Sequence, residues 1–563
     1  MLLLSLCLLC LLLSAAAPAQ QPWEPEEFPI GYWYGPSREF NTLETWQTVK
    51  DGNFTFGGMS GYTTEQNRQM LQFCEQLGLK ALVIDSRINW QTAAGDDLEG
   101  LVAQVVADYA DSPALYGYYI QDEPSYRLFK PLGEVSRALE KADPAHLPYI
   151  NLFPTYASVD QLGTPTYADH LEQYLSIVTP RVLSYDHYAL MKDGSLRRDY
   201  FENLELIREA ALRHGVPAWN IILSLPHLGY RDPSAAEMRW QVYTSLAYGI
   251  KGLMYFTYWT HPDWEAAGEI AIVDSAGRPG RLYPIVQKLN AEMQALGRTL
   301  LGLTSTGVFH TGDVPQGARR LGRDAVLRVP QELPLLVGFL QDAEGVQYAM
   351  VVNRDFAAPT ELDASLAPHV VGVEALSPED GSLQPLEIAE GKLHLALEPG
   401  DGILLRLTTE FDYPEPPAIL EAIDFGFNTD GDAEGWEAGN SLTPPVVQDG
   451  VLAMSFTGPD PFFTRTSLKI ARDTYTKIRV RMKLPPCNTE GQLFWTTGDD
   501  PGFSDTKYLN FPVIPDGEWH EYEVPVGTHD QWAGKEIRGI RLDPTTGGAE
   551  KGQKVEIDRI VGE

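Results

Sequence analysis

Two adjacent carboxylates are the first residues whose types and spacing could do chemistry. In Tyr118-Tyr119-Ile120-Gln121-Asp122-Glu123-Pro124 an aromatic pair and a β-rich run lead into Asp122 and Glu123, and Pro124 stops the run at once. A carboxyl among apolar and aromatic neighbours resists ionisation, as a general acid must if it is to protonate a glycosidic oxygen. Strand alternation would put Tyr119, Gln121 and Glu123 on one side and Asp122 on the other. The plain structural alternative is that Glu123 caps the next helix or pairs with Arg127. Two-carboxylate hydrolysis also needs a partner, and Ser184-Tyr185-Asp186-His187-Tyr188 offers Asp186 as nucleophile, water-activating base or orienting group. A separation of about 5 Å predicts retention of configuration, and about 6.5–9.5 Å predicts inversion. Asp85, Asp122, Asp263 and Glu265 are further candidates for the second acid.

Residues suited to a sugar gather at the ends of the same kind of run. They are Tyr32 and Trp33, Arg87, Tyr119 and Gln121, Asn151, Tyr185 and Tyr188, His227, and Tyr258 and Trp259. An aromatic face covers the apolar C–H face of a pyranose while polar groups take its hydroxyls. His187, His227 and His261 follow three different runs without metal-ligand spacing, and neither a phosphate-binding glycine loop nor a Gly-x-Ser-x-Gly elbow is found. The chemistry expected therefore needs no cofactor.

Positioning these residues calls for a repeated scaffold. From Pro29 to about Leu300, short apolar runs alternate with amphipathic stretches in eight βα units, the size of a closed (β/α)8 TIM barrel over 22–300. Strand four is expected at Leu115–Gln121, six at Val182–Asp186, seven at Ile221–Ser224 and eight at Gly252–Tyr258. Ser234 with Glu237 reads as a helix start, and Gly215 and Gly249 as helix stops. In a barrel of this kind working residues sit where strands end, which is where Glu123 and Asp186 fall. Short alternating strands over 301–410 predict a β-sandwich. A stiff Pro-rich linker follows at 411–418, and a C-terminal jelly-roll β-sandwich is expected over 419–563.

The tract Gly117 to Pro124 within eight βα units resembles the strand-four signature of the large clan of retaining (β/α)8 glycoside hydrolases, which includes bacterial β-galactosidases. That resemblance implies that Glu123 is the acid/base. Two departures stand beside it: Asp122 occupies a position usually held by Asn, and the end of strand seven reads Leu223-Ser224-Leu225-Pro226-His227, with no nucleophilic Glu. The last domain resembles jelly-roll carbohydrate-binding modules in Asp424-Phe425, the Trp436 region, Asp516-Gly517-Glu518-Trp519-His520 and Val555-Glu556-Ile557-Asp558. By that resemblance Asp424 and Asp558 would supply oxygen ligands to a structural Ca2+. Trp436, Trp495 and Trp519 are candidates for sugar stacking or for the sandwich core.

Composition narrows the partners. A formal net charge of −34 argues against nucleic acid and anionic membranes and favours neutral substrates. The apolar run Met1–Leu13, followed by Ser14-Ala15-Ala16-Ala17-Pro18-Ala19, reads as a signal peptide over 1–19. It is too short to span a bilayer, so a secreted or periplasmic protein without membrane insertion is expected. Beyond the signal only Cys74 and Cys487 remain, which excludes a disulfide framework. The activity expected is hydrolysis of a poly- or oligosaccharide. The alternatives are a non-catalytic carbohydrate-binding protein on a barrel scaffold, and another carbohydrate-active enzyme such as a transglycosylase or lyase.

Overall fold

The computed structural model describes residues 25–563 except 96, 323–324, 410–422, 467, 473 and 499. The signal-peptide reading (1–19) and the linker reading (411–418) lie outside the described residues. Eight parallel strands form the first sheet: β1 (Ile30–Trp33), β2 (Phe56–Gly58), β3 (Lys80–Ile84), β4 (Leu115–Asp122), β5 (Leu147–Leu152), β6 (Leu183–Asp186), β7 (Ala218–Leu223) and β8 (Gly252–Phe256). Their order is β1-β8-β7-β6-β5-β4-β3-β2. Backbone bonds from Thr55 N–H to Ile30 O (3.0 Å) and from Gly35 N–H to Met59 O (3.3 Å) bring β2 back beside β1 and close the ring. The chain thus folds into the (β/α)8 barrel expected from the repeat.

Local chemistry sets the helix ends. Ser234 accepts from the Glu237 N–H while Glu237 reaches back to the Ser234 N–H, a reciprocal cap that starts the helix Ala235–Ala247. Gly215 ends Tyr200–His214 in the left-handed conformation, where a side chain would be strained.

The barrel interior is packed rather than hollow. Phe56, Leu82, Leu147, Tyr149, Trp219 and Met254 fill it, with Trp33, Tyr119 and Phe256 resting on this plug at partial burial. A larger apolar layer lies between the strands and the helices and continues into the next domain through Leu336, Met350 and Leu404. Tyr248 OH and His310 Nε2 meet at 2.9 Å across that seam.

After the helix Tyr283–Gly302 the chain forms a sandwich of a six-stranded and a four-stranded antiparallel sheet, from Thr304 to Thr409. The jelly-roll β-sandwich over Asp424–Gly562 likewise has two antiparallel sheets, with Trp436 and Trp495 buried between them. Trp519 is only half-buried and carries the Arg481 guanidinium 5.2 Å over its ring. No helix among the described residues is long and apolar enough to cross a membrane.

Candidate active site

The mouth of the barrel is built where β4, β5 and β6 end. The register between β4 and β5 shifts at Ile120, so that Tyr119 pairs with Tyr149 but Gln121 pairs with Ile150 and Asp122 with Asn151. This bulge re-aims the end of the strand and overturns simple alternation: Asp122 and Glu123 turn toward the same neighbours. Glu123 itself adopts φ 41, a left-handed conformation that costs a non-glycine residue of order 1 kcal/mol or more. Its N–H donates to Asn151 O at 2.8 Å, which holds that turn in place.

Asn151 ties the acids together. Its Nδ2 donates to Asp122 Oδ1 (3.2 Å) and to Asp186 Oδ1 (2.9 Å). Its Oδ1 accepts from Ser184 Oγ (3.0 Å), which fixes the amide the other way round from a carboxylate-repelling flip. Tyr188 and Glu123 both lie beside the Asp186 carboxyl and act on it electrostatically.

Burial sets the electrostatics, and among the described residues no cation pairs with these acids. Burial pushes the Asp122 carboxyl up to about 6, against the pull of its Asn151 and backbone donors. Burial, and then the Asp122 charge, push Glu123 up to about 7. Asp186 is raised as well, by burial first and then by Glu123 and Asp122. Glu123 and Asp186 titrate as a unit, and at neutral pH the cluster retains protons that ordinary carboxylates would have lost.

Aromatic rings wall the cluster. Trp33 and Tyr119 meet edge to face at 5.7 Å. Phe256 packs against Tyr188 (5.2 Å) and His227 (5.1 Å), and Trp264 lies against Tyr34 at 5.5 Å. Tyr156, which feels the Asp186 charge, lies under the Arg197 guanidinium at 3.9 Å.

The structure therefore brings together Glu123, Asp186, Asp122, Asn151, Tyr119, Tyr188, His227 and Trp33 of the residues singled out from sequence. Gln121 is partly exposed beside them and donates to Asp122 O at 3.0 Å. Four aromatic assignments are corrected. Tyr32, Tyr185, Tyr258 and Trp259 are at most 1% exposed, packed in the layer between strands and helices rather than at the mouth. Tyr32 there stacks on Tyr258 at 4.5 Å.

Arg87 is also corrected, because its guanidinium is spent on Asp85 (2.7 and 2.9 Å) and Asp108 (2.6 Å). Asp85, held ionised by that pair and by the Tyr109 hydroxyl, is removed as a second acid. Asp263 is exposed and Glu265 accepts the Ser275 N–H, so neither joins the cluster. At the end of β7, Ser224 Oγ donates to Thr257 O and is buried. Tyr156, Phe256, Trp264 and Arg197 were not found from sequence; Phe256 ends β8, Trp264 lies in the short helix Pro262–Ala266, and Tyr156 and Arg197 lie in loops that no strand-end pattern marks.

The calcium reading does not fit. Asp424 is paired with Arg320 (3.1 Å) and Asp558 with Arg481 (2.9 Å). No group of three His, Cys, Asp or Glu able to hold a metal occurs among the described residues.

No protein-family model matches the sequence, and no curated protein matches it. Similar solved structures are glycoside hydrolases. The β-galactosidase from Bacillus circulans sp. alkalophilus aligns at a TM-score of 0.48 and 8% identity, over 68% of this chain and 99% of that one. A GH42 β-galactosidase from G. stearothermophilus aligns at 0.46 and 8%, over 68% and 99%. A family 5 glycoside hydrolase from Bacteroides vulgatus aligns at 0.45 and 10%, over 69% and 90%.

Proposed function

We propose that the protein is an exported glycoside hydrolase acting on a poly- or oligosaccharide, with Glu123 as general acid and Asp186 as its partner carboxylate. The observation that carries this reading is the buried carboxyl cluster at the ends of β4 and β6, walled by aromatic rings and holding a proton near neutral pH. Asn151 donates to Asp186, which favours its anion, while burial and the Asp122 charge raise both acids. The pair holds a proton in common near neutral pH, and in this reading Glu123 is the member that gives it to the leaving oxygen. Asp186 then faces the developing positive charge at the anomeric carbon, directly or through a water.

Sugar binding without hydrolysis is the second reading. It is favoured by the burial of Asp186, 6% exposed, beside Glu123, and by the absence of a carboxylate at the end of β7. Reducing-sugar release from a panel of neutral and acidic polysaccharides, by the wild type and by Glu123→Gln, separates the two. Release by the wild type and its loss in a folded Glu123→Gln variant supports hydrolysis; saccharide binding with no release from any polysaccharide supports the second reading.

A further inference from the structure

The hydrogen bonds that hold the carboxyl cluster do not stop at Asn151. They follow the sheet register across three strands and then run inward. Asp122 of β4 pairs with Asn151 of β5, and Asn151 pairs with Ser184 of β6. Residues two apart on a strand share a face, so Tyr149 stands behind Asn151 and Ser184 behind Asp186. Tyr149 OH and Ser184 Oγ lie 2.8 Å apart, and Ser184 Oγ reaches Asn151 Oδ1 at 3.0 Å. Asn151 Nδ2 then reaches both aspartates. Tyr149, Ser184 and Asn151 are all buried, and Tyr149 belongs to the plug that fills the barrel. At that depth the polar side chains must satisfy one another.

Each group has a fixed number of hydrogens, and that count gives the chain a direction. Ser184 has one to give, and gives it to Asn151 Oδ1. Tyr149 must then donate to Ser184, because two oxygens 2.8 Å apart need a hydrogen between them. The chain could run the other way only if Tyr149 turned its hydrogen to Met254 Sδ, 3.2 Å away. A thioether is a weak acceptor and a hydroxyl a good one, so the direction toward Asn151 wins. Reversal would also turn Asn151 Oδ1 toward the two acids, where oxygen meets oxygen unless the facing oxygen carries a proton.

We propose that Tyr149 and Ser184 are positioning residues for the carboxyl cluster, which lock the Asn151 amide with its nitrogen toward Asp122 and Asp186. The Oδ1 atoms of both aspartates then remain acceptors. The cluster's proton is kept on the other carboxyl oxygens, where a saccharide can take it. That last step rests on the proposed hydrolysis; the lock itself does not.

The titratable groups facing the two aspartates are Glu123 and Tyr119 from β4, Tyr149 from β5, Tyr156 in the loop after it, Tyr167 on the helix Tyr167–Ile177, and Tyr185 and Tyr188 at β6. Burial raises every one of these tyrosines above its ordinary range, so near neutral pH only the carboxyls change charge.

Infrared titration of the protonated-carboxyl band in the full chain, without substrate, tests the lock. The cluster's share of that band is the part lost in Asp186→Asn. Ser184→Ala frees the amide to offer its oxygen to a protonated acid, so the cluster's midpoint should rise by about 0.5–1 pH unit. Tyr149→Phe keeps the ring and removes the hydroxyl, and should raise the midpoint by a smaller amount; it carries the test should Ser184→Ala fail to fold. Ser184→Thr restores a hydroxyl and should return the midpoint to within about 0.2 unit of the wild type. Tyr255→Phe removes an equally buried hydroxyl, bonded to Asn290 Oδ1 at 2.8 Å and away from the acids, and should leave the midpoint within about 0.2 unit. A midpoint that is unchanged or lowered in either folded variant of the chain, or that rises equally in Tyr255→Phe, would overturn the proposal. A protein that binds saccharide without cleaving it leaves this titration intact, so failure of the lock and failure of the proposed hydrolysis are read apart.

Discussion

Two neighbouring strand ends of one barrel treat a carboxyl in opposite ways. At the end of β3, Asp85 meets Arg87 through two bonds and a tyrosine hydroxyl through a third, and is held below its ordinary range despite its burial. At the ends of β4 and β6, Glu123 and Asp186 lie beside each other, Asp122, an amide and a tyrosine, and are raised. Burial pushes all three upward, so the sign is decided by whether a cation is present. A paired carboxylate of the first kind holds structure together. The second kind keeps a proton ready to be given away.

The contrast breaks most visibly in activity. Glu123→Gln and Asp186→Asn should each lower kcat on a polysaccharide by about 10²–10⁴-fold while leaving the far-UV circular dichroism intact. Arg87→Ala should do the reverse. It strands a buried Asp85, costing about 3 kcal/mol in urea unfolding, and leaves kcat/KM within about threefold. A large kcat loss in Arg87→Ala with unchanged stability would erase the distinction between the two strand ends.

A third effect is on pH dependence. Activity that needs protonated Glu123 should fall as pH rises through its raised range near 7. Asp122→Asn removes a negative neighbour, and so should move the alkaline limb of kcat/KM down by about 0.5–1 pH unit. The smallest effect is on stability. Groups raised in the folded state contribute stability that is complete below the ordinary carboxylate range and is lost as pH rises through about 6–7. Glu123→Gln, freed from that loss, should unfold later than the wild type at pH 8 by about 1–2 kcal/mol and show no such gain at pH 4.

The sequence made the barrel legible because eight βα units repeat with clear helix signals, of which Ser234 with Glu237 is one. It made Glu123, Asp186 and Asn151 legible because polar residues that end apolar runs stand out. It did not reveal which face of each strand turns inward. Barrel strands are apolar on both sides, so Tyr32 and Trp33, adjacent in β1, look equally suited to the mouth, yet only Trp33 lies there. The shift at Ile120 defeats alternation in β4 for a related reason, since a bulge leaves no mark in residue type. Arg87 and Asp85 read as chemistry because their pairing is visible only in three dimensions.

The central claim is that Glu123 is the proton donor to the leaving group, and leaving-group dependence measures this directly. Glu123→Gln should lose at least about a hundredfold in kcat/KM on an unactivated oligosaccharide, yet stay within about tenfold of the wild type on a dinitrophenyl glycoside, whose leaving group departs without protonation. An equal loss on both substrates would contradict the assignment of Glu123 as the acid.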